Sequence, residues 1–272
     1  MNFVAILIAA GVVGAVGIIL GLLLGVAAKA FEVKVDEKEV QVREALPGNN
    51  CGGCGFPGCD GLAHAIATGE APVNGCPVGG APVGEKIAEI MGVDAGSTSR
   101  QVAFVKCSGT CDKAEVKYNY YGITDCRQAA AVPGQGDKAC SAGCMGLGSC
   151  ERACPFDAIH VINGIAYVEK EKCVACGKCV AICPKNIIEL VPYENSFMVA
   201  CSSNDKGKDV KAVCQAGCIG CSMCVRVCED DAVHVENNLA KIDYSKCKNC
   251  GKCAAKCPSK VIVNKNGKVE VA

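Results

Sequence analysis

The sequence predicts an α+β chain in which one long N-terminal helix precedes a string of small cysteine-rich units. Three observations point there. Residues 3–28 are uncharged and almost wholly apolar, 25 of the 272 residues are cysteine, and one cysteine framework occurs twice at a fixed offset of 74 residues. Cys140, Cys144, Cys150, Cys154, Cys173, Cys176, Cys179 and Cys183 recur as Cys214, Cys218, Cys224, Cys228, Cys247, Cys250, Cys253 and Cys257.

The elements follow in order. The run FVAILIAAGVVGAVGIILGLLLGVAA is long enough to cross a bilayer as one helix, so residues 1–28 are predicted as a transmembrane segment. A signal peptide fits less well, because no basic residue precedes the run and the run is longer than a usual signal core. Lys29 and Lys34 follow it and none precedes it, which by the positive-inside rule puts the rest of the chain on the cytoplasmic side. Gly17, Gly21 and Gly25 share one helical face, either as a seam for another membrane helix or as the glycine common in such helices. Residues 29–45 are charged and read as a linker. Residues 46–99 form a small domain carrying Cys51, Cys54, Cys59 and Cys76, with a helix over GLAHAIATGEA capped by Asp60 and a second amphipathic helix at 84–92. Residues 100–138 read as a connector with one strand, QVAFVKCSG, ending at Cys107. The duplicated units span 139–193 and 194–272, the second with a lead-in strand. Each holds a hairpin, HVINGIAYVEKEK with an Asn163-Gly164 turn and its counterpart HVENNLAKIDYSK.

The spacing of the cysteines decides their chemistry. Disulfide scaffolds are short secreted chains, whereas Cys173 to Cys183 and Cys247 to Cys257 are C-x2-C-x2-C-x3-C runs followed by proline, the bacterial ferredoxin signature for iron–sulfur ligation. Zinc also takes C-x2-C pairs, but a third and fourth cysteine in the same loop suit a cubane better. The fold class is therefore α+β with one N-terminal transmembrane helix, a small four-iron–four-sulfur domain and two tandem two-cluster ferredoxin-like units. Large apolar residues are few, so the clusters themselves are expected to hold these units together.

In two-cluster ferredoxins the fourth cysteine of a run ligates the other cluster. That rule predicts sets Cys154, Cys173, Cys176, Cys179; Cys218, Cys221, Cys224, Cys257; and Cys228, Cys247, Cys250, Cys253. The remaining set of the first unit is irregular, since Leu147 stands where the repeat has Cys221. Cys140, four residues before Cys144, is the nearest replacement, giving Cys140, Cys144, Cys150, Cys183; a three-iron cluster or none is the plainer alternative. By the same logic Cys214 stands as a spare ligand for Cys221. Glu229 replaces the usual proline after Cys228. With Cys51, Cys54, Cys59 and Cys76 flanked by glycines, the expectation is five [4Fe-4S] clusters. Cys107, Cys111, Cys126, Cys201 and Cys214 are left over, as free thiols or, for Cys107, Cys126, Cys201 and Cys214, as a sixth set. His64, His160 and His234 invite a metal reading, but His160 and His234 occupy equivalent repeat positions and read as ordinary side chains of duplicated strands. A formal charge of zero, no tryptophan and 4% aromatic residues give no sign of a nucleic-acid surface, and no nucleotide or flavin loop is evident.

The segment LPGNNCGGCGFPGCDGLAHAIATGE, with Cys76 followed by PVGG, resembles the four-iron–four-sulfur domain of corrinoid proteins and of the B subunit of the Rnf complex. A leading membrane helix, this domain, then GCMGLGSCERACPFDAI and the ferredoxin runs are similar to that Rnf protein over essentially the whole chain, in its long, clostridial-type form. The resemblance implies an electron-transfer subunit of an ion-translocating ferredoxin:NAD oxidoreductase. Such a subunit would take electrons from reduced ferredoxin, work with other membrane and NAD-reducing subunits, and hold no complete active site of its own. The runner-up is a membrane-anchored polyferredoxin of a hydrogenase or other oxidoreductase. A corrinoid-activating protein, resting on the first domain alone, is disfavoured by the repeats.

Overall fold

The computed structural model describes residues 3–30, 36–96 and 99–264. Residues 31–35, with Lys34, and the chain end at 265–272 lie outside the described residues. The first helix, α1, runs Phe3–Ala30 without a break, about 42 Å at 1.5 Å per residue. Its side chains from Val12 to Val26 face away from the rest of the chain, Leu22 and Leu24 being 66% and 70% exposed. Among the described residues, whose side chains in α1 begin at Gly11, no helix is long and apolar enough to cross a membrane.

The stretch expected as a linker is structured from Glu37 onward. Helix α2, Glu37–Ala45, is capped by Asp36, whose carboxylate accepts from the Lys38 amide, and it buries Val42 completely. The charged positions are its outward face, which is why composition alone suggested a linker. It packs on α3, Cys59–Ala67, and α4, Gly80–Met91, around Leu62, Ile66 and Ile87. Asp60 does not cap α3. Gly58 holds that position, and Asp60 pairs with Arg43 of α2 instead.

The expected connector is likewise part of the first ferredoxin-like unit. Strand β1, Gln101–Val105, buries four of its five residues; it is followed by α5, Cys126–Ala131, and α6, Ser149–Arg152. Next come the hairpin β2, Ile159–Ile162, and β3, Ile165–Val168, then α7, Lys178–Ile182, and β4, Ile188–Pro192. At the hairpin turn Asn163 and Gly164 have φ of 48° and 75°, the left-handed pair that a type I′ turn requires. β1 pairs antiparallel with β4, Val105 opposite Ile188, and so closes the unit.

The second unit repeats this plan. Its elements are β5, Phe197–Val199, α8, Gly207–Val213, and α9, Met223–Arg226. They are followed by β6, Val233–Glu236, β7, Leu239–Ile242, α10, Lys252–Ala255, and β8, Ile262–Asn264. β6 pairs with β7 and β5 with β8. Cysteines stand among the buried residues of both cores, beside Phe104 and Ile159 in one and Val233 and Val261 in the other. Lead strands are equivalent in the two units: the Lys106 amide donates to Ile187 and the Ala200 amide to Val261, two acceptors 74 positions apart.

Candidate metal centres

Short helical turns deliver the cysteines. α6 and α7 in the first unit, and α9 and α10 in the second, each begin after a left-handed residue and present a buried cysteine in their first turn. Cys154, Cys173, Cys176 and Cys179 line one cavity, as the ferredoxin spacing predicts. The Cys173 sulfur accepts from the Ala103 amide at 3.3 Å and the Cys154 sulfur from the Ala158 amide at 3.4 Å. Burial, then the neighbouring Cys173 and Cys176, pushes the Cys179 thiol up to about 12. Cys218, Cys221, Cys224 and Cys257 line a cavity in the second unit. In the remaining set of that unit burial, followed by Cys247 and Cys250, raises Cys253, and the Cys228 sulfur accepts from the Ala232 amide at 3.3 Å.

The irregular set is assembled differently from the expectation. Its cavity is lined by Cys126, Cys144, Cys150 and Cys183, and Cys140 is not among them. Cys150 is pushed up to about 12 by burial first and then by Cys144 and Cys126. Cys126 opens α5, where Asp125 accepts from the Arg127 and Gln128 amides, both at 3.0 Å. Ser149 of α6 donates to Asp125 at 2.9 Å and accepts from the Cys126 amide at 2.7 Å. This joint fixes Cys126 beside Cys150, the next residue along from Ser149. The fourth cysteine around this cavity thus comes from α5, upstream of the cysteine run.

Cys140 lies in a separate cavity between the two units, with Cys107, Cys201 and Cys214. Cys126, expected in a set with Cys107, Cys201 and Cys214, and Cys140 have therefore exchanged places. Cys214, expected as a spare for Cys221, belongs to this cavity too. The signal that could have found this is loop length. From the cysteine after each lead strand to the framework, Cys140 lies 33 positions beyond Cys107 but Cys214 only 13 beyond Cys201, and the 20 extra residues of the first unit carry Cys126. Cys111 is exposed and lines none of these cavities.

In the N-terminal domain the Cys59 amide donates to Asn50 at 2.8 Å and the Gly79 amide to the Cys76 sulfur at 3.3 Å. Burial raises Cys76, with Cys59 and Cys54 adding to it. Gly53 lies against the first ferredoxin-like unit so closely that a Cβ there would stand 2.7 Å from the Cys176 carbonyl oxygen. The histidines face carboxylates: His64 meets Glu39 at 3.0 Å, His160 meets Glu169 at 2.9 Å and His234 meets Asp231 at 3.9 Å. Among the described residues no three His, Cys, Asp or Glu gather tightly enough for one metal ion. The cysteines stand around cavities instead.

Comparison with known proteins finds iron–sulfur families along the chain. Residues 46–78 match a family model described as an Fe-S cluster, 140–194 match the LdpA Fe-S cluster-binding domain, and 172–232 and 217–261 match the 4Fe-4S dicluster domain. The chain is 50% identical to the B subunit of the Na+-translocating ferredoxin:NAD+ oxidoreductase complex of Acetobacterium woodii, over 95% of this chain and 78% of that protein. It is 40% identical to the B subunit of the ion-translocating oxidoreductase complex of Methanosarcina acetivorans, over 92% of this chain and 95% of that one. It is also 40% identical to the B subunit of the proton-translocating ferredoxin:NAD+ oxidoreductase complex of Clostridium ljungdahlii, over 91% and 88%.

Proposed function

The chain belongs to the B subunits of the Rnf family of ion-translocating oxidoreductase complexes, and from that membership we propose how it serves one. It is an iron–sulfur electron-transfer subunit. It takes electrons from reduced ferredoxin at its second ferredoxin-like unit and relays them toward NAD-reducing, ion-translocating partner subunits, anchored by α1 in the cell membrane with the remainder cytoplasmic. When bound, a four-iron cluster takes up or gives up one electron with no bond to the protein made or broken.

The observation that carries this reading is the order of the cysteine sets along the molecule. Gly53 and Cys51 bring the N-terminal set against Cys176. Cys150 of the Cys126 set neighbours Cys179 of the next. In the second unit Cys224 and Cys228 flank the end of α9, and α9 packs on α10, which bears Cys253. The residues therefore support five ligand sets: Cys51, Cys54, Cys59, Cys76; Cys154, Cys173, Cys176, Cys179; Cys126, Cys144, Cys150, Cys183; Cys218, Cys221, Cys224, Cys257; and Cys228, Cys247, Cys250, Cys253.

The donor set fits the group. Thiolates are the ligands such clusters take, and amide N–H groups aimed at sulfur offset its negative charge and tune the potential. At the far end Cys250 is exposed, where a soluble donor can reach its set. From Val12 to Val26 α1 leaves its large apolar side chains uncovered, as a membrane anchor would.

The test is a variant lacking residues 1–28. It is expected to be soluble and reducible by ferredoxin, yet unable to restore NAD reduction to membranes that lack the subunit. If it reduced NAD by itself with reduced ferredoxin, the chain would hold a nucleotide or flavin site and the electron-relay reading would fall.

A further inference from the structure

We propose that Cys107, Cys140, Cys201 and Cys214 form a sixth four-cysteine cluster site, placed on the seam between the two ferredoxin-like units and built by both. The proposal rests on the iron–sulfur reading above and extends it to the gap between the Cys126 and Cys218 sets.

The site is pseudo-symmetric. Each unit supplies one cysteine just past its lead strand, Cys107 or Cys201, and one ahead of its cysteine run, Cys140 or Cys214. The two halves share their hydrogen bonding. The Cys144 amide donates to the Cys107 sulfur and the Cys218 amide to the Cys201 sulfur, both at 3.4 Å, and Cys144 and Cys218 are repeat equivalents. Each of these donors is itself a cysteine of a neighbouring set, one on either side of the seam.

Backbone pairing locks the halves together. Ala114 bridges Cys214, the Glu115 amide donates to Val213, and the Gln215 amide donates to Lys113. Gly109 lies between two of the sulfurs, since a Cβ there would stand 3.3 Å from Cys214 and 3.6 Å from Cys107. Lys138 is 7% exposed and donates to the carbonyls of Gly109 and Gly164 at 2.8 and 2.6 Å, setting a fixed positive charge beside Cys214 and Cys144.

The seam cavity, partly open to solvent, spans about 400 Å³, comparable to the 310–350 Å³ of the three cavities lined by the Cys154, Cys126 and Cys218 sets.

Metal analysis of the full-length, anaerobically purified protein decides the matter. Six sets of four-iron clusters require about 24 iron and 24 sulfide per chain, and five require about 20. A value near 24 is expected. A value near 20 overturns the seam site while leaving the five sets and the relay reading intact, whereas fewer than about 8 would overturn both. Cys201→Ser and Cys140→Ser are each expected to lower the count by about four and to remove one reduced-cluster signal in electron paramagnetic resonance. Retention of the wild-type count in either variant would refute the set. Should these variants fail to fold, native thiol labelling of the loaded wild-type protein still decides: Cys111 is expected to react while Cys107 and Cys140, both only half-buried, stay protected. Modification of either one would sink the proposal.

Discussion

Gly53→Ala isolates the contact through which the N-terminal set meets the first ferredoxin-like unit. The added Cβ would lie 2.7 Å from the Cys176 carbonyl oxygen and 2.9 Å from its Cα, where ordinary contact begins at 3.4 Å. Both obstacles are backbone, so no side chain can swing aside. Relief requires the N-terminal domain to back away by about 0.7 Å, the difference between 3.4 and 2.7 Å, at an overpacking cost of about 1–3 kcal/mol. That energy corresponds to roughly a 5- to 150-fold shift toward the undocked domain. The ligands Cys51, Cys54, Cys59 and Cys76 are untouched, so iron content is expected to equal wild type. Magnetic coupling between the N-terminal cluster and its neighbour, read from the reduced protein's electron paramagnetic resonance, is expected to weaken, and the domain should be released faster by limited proteolysis. Unchanged coupling with unchanged proteolysis would show that this contact does not join the two sets.

Cys126→Ser is expected to remove one cluster from the first unit, because Cys126 lines the cavity with Cys144, Cys150 and Cys183; a full complement of iron in this variant would put Cys140 back as the ligand. Cys221→Ala should lose its cluster as completely as Cys224→Ala, since Cys214 lies in a different cavity and cannot substitute; partial retention of its resonance signal would contradict the two cavities. Lys138→Met should leave two carbonyls without their donor, at roughly 1–3 kcal/mol for the buried Gly109 acceptor and less for the half-buried Gly164, and should lower the reduction potential of the clusters next to Cys144 and Cys214; a potential that rises or stays put in a redox titration would refute the electrostatic role. Removal of iron by oxidation and chelation is expected to unfold the ferredoxin-like units and the N-terminal domain together, because all three cores count cysteines among their buried residues; full retention of strand signal in circular dichroism would show that the cores stand without metal.

What the sequence determined by itself is everything encoded within one loop or one turn. Cys173, Cys176 and Cys179 must converge because one short loop offers them no other place, and Asn163-Gly164 must turn because only such residues accept left-handed backbone cheaply. The repeat offset then carried the hairpins and the regular ligand sets from one unit to the other. The tertiary structure alone decided which cysteines from outside those loops stand around each cavity. Cys126 joins Cys150 through the Asp125 and Ser149 hydrogen bonds, and Cys107 reaches Cys201 where Ser202 donates to the Lys106 carbonyl across the seam. Proximity along the chain favoured Cys140 for the vacancy at Leu147, but chain proximity constrains a thiol only within a few residues. Beyond that, strand pairing and helix caps set its position. Val42 gives the same lesson in the N-terminal domain: one buried valine on an otherwise charged helix is too weak a pattern to read, yet the packing of α2 on α3 and α4 makes it core.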